Sequence, residues 1–91
     1  MEFEFDPIKS LANAAKHGID FIAAQALWLD PLLLVIRAKT TDEPRWIATG
    51  MIDGTHWTAI YTDRDGTTRL ISVRRSRVEE RQDYEADARK A

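Results

Sequence analysis

The 91-residue sequence predicts one α+β domain, an antiparallel sheet with helices packed on one face. Three observations carry that prediction. Residues 32–75 fall into four apolar or alternating segments rich in β-branched and aromatic side chains. The connections between them are short, and two hold the tight-turn pair Asp-Gly, at Asp53-Gly54 and Asp65-Gly66. Helical spacing with capping residues occurs only before and after this block.

Taken in order, Phe3 and Phe5 alternate with Glu2 and Glu4, which predicts a short strand with one buried face. Asp6 then caps a helix and Pro7 takes its first position, where a missing N–H costs nothing. Ile8, Leu11, Ala12 and Ala15 share one face of that helix and are expected in the core. Lys16-His17-Gly18 ends it with cations beside a glycine cap. Asp20 caps a second helix over 21–29, apolar nearly all round and so expected to be buried, and Asp30-Pro31 stops it. Strands follow at 32–38, 45–53, 56–62 and 68–75, with a polar connection over 40–44. Strict alternation on the last strand groups Leu70, Ser72 and Arg74 on one face and Arg69, Ile71, Val73 and Arg75 on the other. Ser76-Arg77-Val78-Glu79 reads as a capping box opening a polar C-terminal helix, in which 85–91 are expected to fray. The order is β-α-α-β-β-β-β-α in a single domain, 1–91.

Composition removes several function classes. No cysteine is present, which excludes disulfide scaffolds, thiol nucleophiles and cysteine-ligated zinc. The two histidines, His17 and His56, stand in no metal-binding spacing, and no phosphate-cradling glycine loop or G-x-S-x-G elbow occurs, so no cofactor is expected. No stretch free of charge exceeds nine residues, against about 20 for a membrane-spanning helix. The start, Met-Glu-Phe-Glu-Phe-Asp, has neither a basic nor an apolar leader region, and a cytoplasmic location with no membrane partner is expected.

The net charge of −2 conceals a gradient: residues 64–81 carry a local +3 through six arginines, and the remainder carries −5. A basic block on an acidic domain suits a localised anion site; its plainer reading is a solvated face of ion pairs. Lys9, Asn13 and Lys16 share a helix face at i, i+4 and i+7, and Tyr61 and Arg64 close the preceding strand. Cations with hydroxyls and few proton carriers suit metal-independent RNA cleavage. There the ribose 2′-hydroxyl is the nucleophile, and the enzyme supplies charge stabilisation and proton transfer. Arginine is then the phosphate clamp and His17 the natural proton carrier, unless His17 only complements its helix terminus. Trp28, Trp46 and Trp57 are expected in the core, not on RNA bases.

Three stretches carry a family resemblance. Phe3-Glu4-Phe5-Asp6 with Lys9, Asn13 and Lys16-His17-Gly18-Ile19-Asp20-Phe21 opens the chain; Asp30-Pro31 breaks it; and Tyr61-Thr62, Arg64, Arg69-Leu70-Ile71-Ser72-Val73-Arg74, Glu80-Arg81 and Tyr84-Glu85 close it. Together they resemble the BrnT toxins of type II toxin–antitoxin operons, which are similar in fold to the RelE ribonucleases. The chain departs from that pattern at Ile22-Ala23, Val73 and Arg75-Ser76. The resemblance implies a ribonuclease that halts translation, neutralised by a ribbon-helix-helix antitoxin, with operator DNA reached only through that antitoxin. It implies catalytic roles for His17, Lys9, Arg64 and Arg74, and RNA binding by Lys16, Asn13, Arg69, Ser72, Tyr61 and Arg81. The alternative is a non-catalytic module binding an acidic protein through the arginine-rich strand and C-terminal helix.

Overall fold

A computed structural model describes residues 1–40 and 42–91. Thr41, within the predicted 40–44 connection, lies outside the described residues. The elements are β1 (Phe3–Glu4), α1 (Pro7–His17), a 3₁₀ helix (Ala23–Leu29), β2 (Leu34–Arg37), β3 (Trp46–Ile52), β4 (Thr55–Arg64), β5 (Thr67–Arg75) and α2 (Val78–Ala88). They form an α+β domain around one five-stranded sheet in the order β1-β5-β4-β3-β2. Both Asp-Gly pairs turn their hairpins with two residues at positive φ, 48° and 79° at Asp53-Gly54 and 52° and 86° at Asp65-Gly66. That is the conformation whose twist matches the flanking strands.

The sheet is mixed, which corrects the antiparallel expectation. β1 runs parallel to β5, with Phe3 beside Thr68 and Glu4 beside Arg69. No hairpin constrains β1; it is placed by packing, through Phe3 edge-on to Trp28 at 5.1 Å and Phe5 edge-on to Phe21 at 5.7 Å. Alternation along β5 also fails. A bulge shifts the β4–β5 register, so that Ser72 opposes Ile60 while Leu70 opposes Tyr61. Leu70 and Val73 consequently both enter the core, on one face and not on two.

The predicted second helix is 3₁₀, and the reason lies in its apolar spacing. Phe21, Ala24 and Leu27 are fully buried at intervals of three, the period of a three-residue turn. Its N-cap is Ile22 and not the expected Asp20, whose Oδ1 accepts from Ile22 and Ala23 and so shapes the turn that leads into the helix. Ile22 and Leu29 are exposed, so the segment is buried on one side only. Phe21 and Leu27 join Ile19, Ala48, Ala59, Leu70 and Val73 in the core, and Trp28 and Trp57 pack against it. Full burial of a side chain of the Phe or Leu class is worth about 1.5–3 kcal/mol.

α1 inverts the expected amphipathicity. Ile8 and Leu11 are 77% and 73% exposed, whereas Ser10 and Asn13 are buried at 6% and 8%. The inward stripe is Ser10, Asn13, Ala14 and His17, still at helical spacing but turned toward polar anchors. Ser10 Oγ accepts from Phe21 N–H at 2.9 Å. The Asn13 amide donates to Ile19 O at 2.7 Å and Val73 O at 2.9 Å, and its Oδ1 accepts from Val73 N–H at 3.2 Å. β1 pairs with β5 only at Thr68 and Arg69, so Asn13 continues that edge of β5 as a side-chain substitute for a strand.

The helices do not share one face, a second correction. Ala59 lies in the core, so its neighbour Thr58 points to the opposite face, where it donates to Glu80 of α2 at 3.1 Å. Ser76 does not cap α2 but places its hydroxyl 2.8 Å from Thr58 Oγ1. The cap falls one residue later than predicted: Arg77 is the N-cap, and its N–H donates to Glu80 Oε1 at 2.8 Å. On this fold, Asn13→Ala leaves Ile19 O and both backbone groups of Val73 without their partner. Urea unfolding should show a loss of about 2–4 kcal/mol, far above an Ile8→Ala change on the same helix.

Candidate active site

The shared face of Lys9, Asn13 and Lys16 lies over the middle of β5. A shallow cleft of about 210 Å³ opens there, lined by Lys9, Ala12, Asn13, Lys16, His17, Ile71 and Ser72. Five of the ten site residues expected from the sequence thus converge. Its lining includes no carboxylate, and among the described residues neither lysine enters a salt bridge. Asn13 lies at the floor with its amide committed to the backbone, so it fixes the cleft's shape. Helix α1 ends at Gly18, whose N–H donates to Ala14 O at 2.9 Å, and this puts half-buried His17 at the cleft's rim.

The other five are dispersed. Tyr61 packs edge-on to Trp28 at 5.3 Å, and burial, with Asp63 nearby, pushes its hydroxyl above the ordinary pKa. Arg64 stands 3.8 Å from Glu43 and Arg69 3.6 Å from Glu4, both long and solvated pairs. Such pairs contribute little. Arg81 lines a separate cleft with His56.

Arg74 has the most specific partner of all. Its guanidinium grips Glu80 with both nitrogens, at 2.7 and 2.9 Å, on the face opposite the core. Burial works against charge on Glu80. Hydrogen bonds from Arg74, Arg77 N–H and Thr58, together with the Arg74 charge, overcome this and hold the carboxyl at about 2. The bond to Glu80 in turn holds Arg74 above the ordinary guanidinium value despite its partial burial. Sequence reading assigned Arg74 to chemistry without its partner, which lies six positions on, past the end of the strand.

The Asp30-Pro31 break also conceals a junction. Asp30 Oδ1 accepts from Leu32 N–H, and Oδ2 accepts from Met51 N–H at 2.9 Å and from the Tyr84 hydroxyl at 2.7 Å. The approach requires Gly50, where a Cβ would sit 2.9 Å from Leu33 Cδ1 and 3.1 Å from Asp30 Oδ2. Burial raises the Asp30 pKa, but the three hydrogen bonds outweigh it and the carboxyl lies below its ordinary value. Burial first, then the bond to Asp30, push Tyr84 up to about 12.

Residues 5–80 match the family model described as "Ribonuclease toxin, BrnT, of type II toxin-antitoxin system". The chain belongs to the BrnT family. No curated protein matches it. BrnT membership brings the class of activity, ribonuclease, and two classes of partner, an RNA substrate and an antitoxin. The matched region includes the α1 cleft and the Arg74–Glu80 clamp and stops short of Arg81, Tyr84 and Glu85. No helix among the described residues is long and apolar enough to cross a membrane.

The Glu80 clamp makes a pH prediction. Its carboxyl is depressed from an ordinary 4.5 to about 2, so its stabilisation is complete above pH 4.5 and disappears as pH falls toward 2. Glu80→Gln should lower stability at pH 7 by about 1–3 kcal/mol. The gap from the parent protein should close through that acid window, as read by urea denaturation at stepped pH.

Proposed function

We propose that this BrnT protein cleaves single-stranded RNA without a metal ion in the cleft between α1 and β5, and so stops translation. The observation that carries this reading is the convergence of Lys9, Lys16, His17 and Ser72 on a cleft lined without a carboxylate. Magnesium is bound through carboxylate and other oxygen ligands, and two ammonium groups oppose it. The same ammonium groups suit a phosphodiester, whose negative charge grows as the 2′-oxygen attacks.

In the proposed step the ribose 2′-oxygen forms a bond to phosphorus while the bond from phosphorus to the 5′-oxygen breaks. The products are a 2′,3′-cyclic phosphate and a 5′-hydroxyl end. The 2′-hydroxyl loses its proton to a base and the leaving 5′-oxygen gains one. His17 and Lys9 are assigned to these transfers, and Lys16 and Ser72 to the phosphate oxygens. Arg64 and Arg69, held by long pairs, the first exposed and the second half-buried, are free to exchange carboxylate for the RNA backbone. Arg74 acts through the fold, by fixing α2 to the sheet.

The antitoxin is assigned to the ribbon-helix-helix class, and operator DNA is contacted through it. A toxin with a net charge of −2 is a poor duplex binder by itself. The alternative, an acidic protein docking on the arginine-rich strand, is disfavoured because Arg74 is already gripped by Glu80 within the chain.

The purified protein with end-labelled RNA in excess EDTA should yield cyclic-phosphate and 5′-hydroxyl ends. Lys9→Ala/His17→Ala should slow cleavage by at least about a hundredfold at unchanged thermal midpoint. Cleavage lost on adding EDTA, or retained in full by the double variant, would refute the reading.

A further inference from the structure

The sequence block that drew attention for its six arginines hides a second cleft, which the proposed chemistry does not use. It lies at the end of the sheet where β5 passes into α2. The β4–β5 ladder continues one step past the strands, with Ser76 N–H donating to His56 O at 3.1 Å. That bond draws together a cleft of about 350 Å³ lined by Gly54, Thr55, His56, Arg75, Ser76 and Arg81. An adjoining hollow of about 380 Å³ continues along α2 past His56, Arg81 and Glu85 to Arg89.

Two features distinguish it from a surface of ion pairs. Among the described residues Arg75 and Arg81 enter no salt bridge, unlike Arg64, Arg69 and Arg74. The Arg75 guanidinium is instead steadied over the Trp57 ring at 5.6 Å, which leaves its forked donors uncommitted. The imidazole of His56 is fixed in two ways, by Glu85 Oε1 at 2.9 Å from Nε2 and by the edge of the Tyr84 ring at 5.4 Å between centroids. A carboxylate accepts, so neutral His56 carries its proton on Nε2, and Nδ1 is left as an acceptor.

We propose that this cleft binds one ribonucleotide unit of the RNA strand. Arg75 and Arg81 hold its phosphate, and His56 Nδ1 accepts the hydrogen bond of its 2′-hydroxyl. Two guanidinium groups match the non-bridging oxygens of a phosphodiester. An acceptor beside them has no partner on phosphate but has one on ribose, and the 2′-hydroxyl is what separates RNA from DNA. The site rests on the ribonuclease reading, yet it lies apart from the α1 cleft and supplies grip and sugar selectivity, not bond breaking.

Fluorescence anisotropy with a labelled single-stranded RNA and a DNA of the same sequence tests the site. A His17→Ala background and a gel check of strand integrity keep cleavage out of the readout. The parent should prefer RNA. Arg75→Ala/Arg81→Ala should weaken both strands about tenfold and make the salt dependence shallower by about one in log–log slope. His56→Phe, which keeps an aromatic ring beside Tyr84, should leave DNA binding unchanged and remove the preference for RNA. Equal binding by the arginine double variant, or a preference that survives His56→Phe, overturns the proposal. Failure of the parent to bind either strand would instead strike at the ribonuclease reading itself.

Discussion

The side-chain amide of Asn13 is the constraint on which the rest depends. β5 is flanked by β1 for two residues only, and beyond that its edge would hold the N–H and C=O of Val73 without partners. A buried, unpaired backbone group costs about 1–3 kcal/mol. Asn13 satisfies both and also takes Ile19 O, so a single planar amide binds helix, loop and strand. That requirement fixes the rotation of α1. With Asn13 and Ser10 turned inward, Lys9 and Lys16 flank the strand edge and Ile8 and Leu11 face solvent. The cleft is therefore a by-product of backbone pairing, since the bond that stabilises β5 also aims the cations.

This explains what could and could not be read from the sequence. Local chemistry was legible where a few neighbouring residues decide it. Asp53-Gly54 and Asp65-Gly66 both adopt the turn their residue types demand, and Asp6 and Gly18 cap as expected. The orientation of α1 was not legible, because hydrophobic periodicity assumes that the apolar face is the buried one. Here two polar side chains repay their burial with long-range hydrogen bonds, to Phe21 and to Val73 sixty positions away. The β5 bulge was hidden for a related reason. Leu70, Ile71 and Val73 read as simple alternation, and only the register against β4 shows that one residue is extra. The parallel course of β1 depends on Phe3 meeting Trp28, a contact no local pattern encodes.

The candidate site divides along the same line. Lys9, Asn13, Lys16 and His17 lie within three turns of one helix, so helical spacing alone groups them, and β5 then adds Ser72. The second cleft takes His56, Arg75 and Arg81 from a hairpin, a strand end and a helix. It exists because Ser76 pairs with His56 and because Glu85 falls one helical turn after Arg81. A signal was present in hindsight: Arg75-Ser76 and His56 carry polar chemistry at strand ends, where sheet edges open toward solvent. Their pairing needed the strand register.

Self-neutralisation also resolves the tension between an acidic chain and an RNA substrate. Within the basic block, Arg64, Arg69 and Arg74 each face one of the chain's own carboxylates, Glu43, Glu4 and Glu80. These partners differ in consequence. The Glu80 pair is bidentate, partly buried and further hydrogen-bonded, so it is part of the fold; the other two are long and solvated and cost little to exchange. A strongly basic surface would attract any nucleic acid, duplex DNA included, through counterion release. By pairing four of its nine arginines with its own carboxylates, the chain lowers that general attraction, while Lys9, Lys16, Arg75 and Arg81, which enter no salt bridge among the described residues, line concave places where geometry can discriminate among polyanions. On the proposed reading, affinity surrendered over the surface is returned as selectivity in the clefts.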